Sequence, residues 1–161
     1  MLGTANLAHE NLKLSASLED YLEAIYNLAS GDGSVRSKDI ANKLGVARAS
    51  VTGALRALKD KGLAHYRPYE TVSLTEAGQL VAAEVAAKHR VLKSFFVDVL
   101  GVHVDAAQKA ACRAEHALGS DIIGKLLSFV QFVDEVEVNG RPLAGEFRQY
   151  CESSTAEDLG R

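Results

Sequence analysis

Between Ser17 and Leu74 the apolar residues change period in a set order, and that order restricts the fold more than any other feature. Leu18, Tyr21, Leu22, Ile25 and Leu28 recur at helical spacing, and Ser30-Gly31-Asp32-Gly33-Ser34 ends that helix with turn residues. A short helix follows, with Ser37 as its cap, Ile40, Ala41 and Leu44 on one face, and Gly45 just past its end. A third helix runs through Val51, Leu55 and Leu58 to Gly62. Then Leu63-Ala64-His65-Tyr66-Arg67 and Thr71-Val72-Ser73-Leu74 read as two short strands joined by Pro68-Tyr69-Glu70.

Helix, helix, short glycine-containing turn, helix and hairpin is the order of a winged helix-turn-helix. The rest reads as helical. Thr75 starts a long helix whose apolar positions recur from Leu80 to Leu100, and Gly101 ends it. Asp105 is placed to cap another helix through Leu118, and Ser120 or Asp121 opens one through Val130. A short helix is expected around Gly145–Cys151, and the opening dozen residues, with Leu7 and Leu12, read as an arm or a short helix. With two prolines and no tryptophan the fold class is mainly α: residues 1–75 form the winged helix-turn-helix, 76–138 a helical domain and 139–161 a tail.

Charge separates along the same lines. The chain carries −3 overall, yet residues 34–68 hold eight Lys or Arg against Asp39 and Asp60, a local +6 between acidic flanks. Such a block is the footprint of a phosphate-binding surface, although a solvated basic helix face would look the same. On the third helix, Arg48, Ser50 and Thr52 stand near the N-terminus, where side chains approach base edges in the major groove. Arg56 and Lys59 lie further along, within reach of phosphate, and Arg36, Lys38 and the wing residue Arg67 complete the expected DNA contacts, with Tyr66 at the hairpin tip.

Outside the basic block, Cys112-Arg113-Ala114-Glu115-His116 places a thiol, a carboxylate and an imidazole at i, i+3 and i+4 of one helix. These are good ligands for a divalent transition metal. His89 on the preceding helix offers a second imidazole, and Asp20 and Glu23 form a carboxylate pair on the first helix. Each has a plainer reading: a buried small thiol, a hydrogen-bonded histidine, a solvated acidic face. Spacing leaves both open.

From Leu18 to Val133 the chain resembles the diphtheria-toxin repressor and manganese-transport regulator family of metal-dependent transcriptional regulators. The resemblance is carried by Leu18-Glu19-Asp20-Tyr21-Leu22-Glu23-Ala24-Ile25-Tyr26, Ser50-Val51-Thr52, Lys88-His89-Arg90 and Cys112–His116. It implies that Asp20, His89, Glu115 and His116 bind metal. It also implies that Cys112 follows the iron-responsive branch and Glu23 the manganese branch. The helical domain then becomes a metal-binding and dimerisation domain, with the helix from Ser120 as the dimerisation helix. Three departures matter. Lys93 and Gln108 replace ligands of an ancillary metal site, so that site is expected to be absent. Gly53 replaces a glutamine that lies near the bases, so the operator sequence does not carry over. The chain as read ends at Arg161, so the SH3-like domain of longer members is not expected.

The resulting expectation is a cytoplasmic homodimer that binds palindromic double-stranded operator DNA when loaded with a divalent metal. Fe²⁺ is favoured by the softness of one thiolate, with Mn²⁺ as the alternative. The ion would join the first helix to the helices carrying His89 and Cys112–His116, and would act by population shift. A metal-independent regulator that senses oxidants through Cys112, or another ligand, is a second reading. An enzyme is excluded on missing parts: Cys112 and His116 have no orienting third group or oxyanion loop, and there is no HExxH or phosphate-binding loop. No apolar run approaches a membrane span, and two distant cysteines suit a reducing compartment without a disulfide.

Overall fold

A computed structural model describes residues 14–29, 33–138 and 140–158. The opening dozen residues and most of the first predicted turn lie outside these. The chain divides into two compact units between Ala86 and Ala87.

In the first unit, helix α1 (Ala16–Leu28) opens at Ser15, whose hydroxyl accepts the Leu18 amide hydrogen at 3.3 Å. Strand β1 (Ser34–Val35) leads into α2 (Ser37–Leu44), which ends on Gly45 at φ +66°, a left-handed conformation that glycine adopts without a Cβ penalty. Helix α3 (Arg48–Asp60) follows after the short turn. Strands β2 (Ala64–His65) and β3 (Val72–Leu74) form the wing hairpin, and β1 pairs antiparallel with β3 to give the order β1-β3-β2. Leu22, Ile25, Ile40, Val51, Leu55, Leu58 and Val72 are fully buried in one core. These are the positions that the helical and strand periods point inward.

Helix α4 (Glu76–Ser94) is tied to the wing by Thr75. The Thr75 hydroxyl donates to the Gly62 carbonyl at 2.7 Å and accepts the Gly78 amide hydrogen at 3.0 Å, while the Thr75 amide donates to Leu63 O at 3.1 Å. Thr75→Ala removes both hydroxyl bonds, and urea unfolding is expected to show a loss of about 1–2 kcal/mol. An unchanged midpoint would remove Thr75 from this role.

In the second unit, α4 widens into a π turn (Phe95–Val99) and stops at Gly101, φ +69°. Helix α5 (Val104–Ala114), α6 (Ser120–Glu135), a two-stranded hairpin of β4 (Glu137–Val138) and β5 (Arg141–Pro142), and α7 (Leu143–Asp158) complete the chain. Val99, Val130, Val133 and Ala144 pack together, and Leu92, Ala111 and Ile123 form a second cluster.

Several expectations change. Arg36, not Ser37, is the cap of α2, and Ser37 is the first helical residue. His103, not Asp105, caps α5: its Nδ1 accepts the Asp105 amide hydrogen at 3.4 Å, and α5 stops at Ala114 rather than Leu118. The long helix is not α-helical through Leu100, because its last turn is π. Tyr66 is not at the wing tip. Strand alternation turns it into the core beside Ala64, and Tyr69 is the fully exposed tip residue, at φ 70°. The short helix expected at Gly145–Cys151 runs instead from Leu143 to Asp158, and its Ala144 is buried in the core.

Candidate functional site

The basic residues of the first unit lie on its surface. Arg36 caps α2, Lys38 lies within it, Arg48 opens α3, Ser50, Arg56 and Lys59 follow on α3, and Arg67 stands on the wing; all are exposed. Thr52 is half-buried, and its hydroxyl donates to the Arg48 carbonyl at 3.2 Å, so that group is engaged within its own helix. Behind the wing, Lys59, His65 and Arg67 border a cleft of about 620 Å³. His65 was not foreseen as part of this surface. Its signal was parity, since it is the outward residue between buried Ala64 and Tyr66.

On α1, Asp20 and Glu23 are half-buried and flank buried Tyr21 and Leu22. Burial first, and the Asp20 charge second, raise the Tyr21 phenol above its ordinary value.

The second unit brings His89, Glu115 and His116 together. Helix α5 ends at Ala114, yet Glu115 keeps helical angles (φ −59°, ψ −32°), so its side chain still follows Cys112 by three helical steps. Cys112 is half-buried in the last turn. Glu115 is 1% exposed. Its Oε2 lies 2.5 Å from His89 Nδ1, while His89 Nε2 lies 2.8 Å from the Gln108 side-chain nitrogen. His116 Nε2 is 3.5 Å from Glu115 Oε1, within ion-pair range. Among the described residues, that Oε1 is the one buried side-chain oxygen or nitrogen without a hydrogen-bond partner.

A buried carboxylate oxygen left unmatched costs free energy unless something positive completes it. An imidazole nitrogen alongside, with a thiol one turn earlier, makes the donor set suitable for a divalent transition metal. The residues fit such an ion.

Residues 13–72 match the family model described as iron dependent repressor, N-terminal DNA binding domain, and residues 75–141 match its metal binding and dimerisation domain. The chain belongs to the iron-dependent repressor family. This is a family of metal-dependent transcriptional regulators. The chain is 34% identical over 125 residues to an uncharacterized HTH-type transcriptional regulator, MJ0568, of Methanocaldococcus jannaschii, covering 76% of this chain and all of that protein. It is 32% identical over 114 residues to the transcriptional regulator MntR of Salmonella typhimurium, covering 71% of this chain and 72% of that one. A manganese-dependent transcriptional repressor solved in complex with manganese superposes with a TM-score of 0.64 at 28% identity. That match covers 73% of this chain but only 54% of the solved one.

The family supplies a reason for a further surface. Helix α6 leaves Ile122, Leu127, Phe129 and Phe132 exposed, an apolar face of the kind a dimerisation domain covers with its partner. Helix α7 lies beyond the matched residues. No helix among the described residues is long and apolar enough to cross a membrane.

Proposed function

We propose that this repressor-family chain binds palindromic operator DNA as a cytoplasmic homodimer, and that a divalent metal ion activates it. The observation that carries the reading is Glu115 Oε1, buried without a hydrogen-bond partner and faced by His116. The proposed ligands are Asp20, Glu23, His89, Cys112, Glu115 and His116, and His89 already lies against Glu115. When bound, the ion supplies positive charge that neutralises the carboxylates holding it. The proposed DNA contacts are Ser50 and Thr52 toward bases, and Arg36, Lys38, Arg48, Arg56, Lys59 and Arg67 toward phosphate and base edges.

Fe²⁺ is the proposed activator because the Cys112 thiolate is a softer ligand than a carboxylate. Manganese is the second reading, favoured by similarity to a repressor described as manganese-dependent. Fluorescence anisotropy with duplex DNA from upstream of its own gene tests both. Fe²⁺ under anaerobic conditions is expected to tighten binding by roughly 5- to 150-fold over metal-free protein, the usual range of such coupling. Equal binding with and without metal would overturn the reading. Cys112→Ser is expected to lose most of the Fe²⁺ response and little of the Mn²⁺ response; an intact Fe²⁺ response would remove Cys112 from the site.

A further inference from the structure

We propose that His65 contacts a DNA backbone phosphate, and that protonation of its ring tightens operator binding as pH falls. Such a contact rests on the DNA-binding reading above and gives it a pH dependence.

Strand β2 is an edge of the three-stranded sheet, and its register sets Ala64 opposite Leu74 and His65 opposite Ser73. Cross-strand partners point to the same side of a sheet. Ala64 and Leu74 are buried, so His65 and Ser73 turn outward, into the cleft of about 620 Å³ behind the wing. The other charged groups facing that cleft are Lys59, near the end of α3, and Arg67 and Glu70, from the hairpin. Among the described residues, the side chains of Lys59, His65, Arg67 and Glu70 make no hydrogen bond or ion pair with one another or with anything else. Charged groups gathered on one cleft without pairing are available to a ligand.

With the His65 ring neutral the cleft has a formal charge of +1, and with the ring protonated +2. The ligand that suits it is an anion. A DNA phosphate is the anion at hand, because Lys59 lies on the same helix that presents Ser50 and Thr52 toward bases. Lysine, arginine and glutamate ordinarily keep their charge between about pH 5 and 8, whereas histidine ordinarily changes there. A phosphate beside the ring favours its charged form, so binding DNA takes up a proton. Affinity therefore rises as pH falls, opposite to the direction expected from proton competition for metal ligands.

The test measures binding of the full-length chain to the same duplex by anisotropy, near pH 6 and near pH 8, with saturating Mn²⁺ and with saturating anaerobic Fe²⁺. At each pH the wild type is compared with His65→Gln, which lacks the charge, and with His65→Lys, which carries one throughout. Metal uptake also varies with pH, but a comparison at fixed pH and saturating metal holds it constant. The wild type is expected to bind roughly fivefold more tightly than His65→Gln near pH 6, about the worth of one added phosphate contact at physiological salt, and equally near pH 8. Relative to His65→Gln, its plot of log affinity against log salt should also be steeper by about 0.9 near pH 6. His65→Lys should exceed the wild type near pH 8 by a similar factor. Equal affinities of wild type and His65→Gln near pH 6, or no gain from His65→Lys near pH 8, would overturn the contact and leave the DNA-binding reading standing. Failure of the wild type to bind the duplex at either pH would overturn that reading, and this contact with it. Tighter binding by His65→Lys cannot come from misfolding, so the test stays decisive even if the glutamine variant is unstable.

Discussion

Glu115→Gln is expected to abolish the thermal stabilisation that metal confers, while leaving the metal-free protein folded. Glutamine keeps the shape and retains an oxygen to accept the His89 N–H, so the 2.5 Å contact to Oε2 has a neutral counterpart. It removes the charge at Oε1, the buried oxygen without a hydrogen-bond partner. In the wild-type chain, an ion present at a hundred times its dissociation constant stabilises the native state by about 2.7 kcal/mol. For a protein of this size that corresponds to a rise of roughly 5–10 °C in Tm. The variant should show almost none of this rise, and its DNA affinity should stop responding to metal. Its metal-free Tm should match or exceed that of the wild type, because a buried charge has been removed without emptying the site. Differential scanning fluorimetry with and without Mn²⁺ or Fe²⁺ reads both effects. A variant that keeps the full metal-induced rise would move the ion away from Glu115.

How much of this was legible beforehand depended on how many residues each feature spans. The helices of the first unit were readable because Leu22, Ile25, Val51, Leu55 and Leu58 repeat over several turns, and Gly45 marks the bend between α2 and α3. Two-residue strands carry no period, so β1 left no trace. Tyr66 follows alternation from buried Ala64, a signal that the adjoining loop residues Arg67 and Pro68 obscure in the sequence. In the second unit, Asn139-Gly140 between Val138 and Arg141 is a usable hairpin signal in the sequence. The π turn was hidden because Phe95, Phe96 and Val99 continue an apolar helical pattern, which cannot distinguish α from π winding. At the metal centre the Cys112–His116 spacing was visible in one segment. The contact of Gln108 with His89 was not, since it joins residues nineteen apart in the chain.

The second large effect tests tertiary packing against local propensity. Gly78 lies in the first turn of α4, where intrinsic helix preference alone makes Gly78→Ala stabilising by up to about 1 kcal/mol. The packing argues the opposite sign. A Cβ at this position would lie 1.9 Å from the Leu63 carbonyl oxygen and 2.8 Å from its carbon. Both are backbone atoms, and the same carbonyl accepts the Thr75 amide hydrogen, so it cannot swing aside without loosening the joint between wing and helix. Gly78→Ala is therefore expected to destabilise the protein by about 3 kcal/mol, at the upper end for overpacking. Gly53 supplies the internal comparison: it sits within α3, and an added Cβ would meet nothing within 4 Å. Gly53→Ala should accordingly follow propensity and raise stability by up to about 1 kcal/mol. Urea unfolding of the two variants should then shift in opposite directions. If both are stabilised, α4 does not press on Leu63 as described, and the anchoring of the wing by Thr75 and Gly78 falls with it.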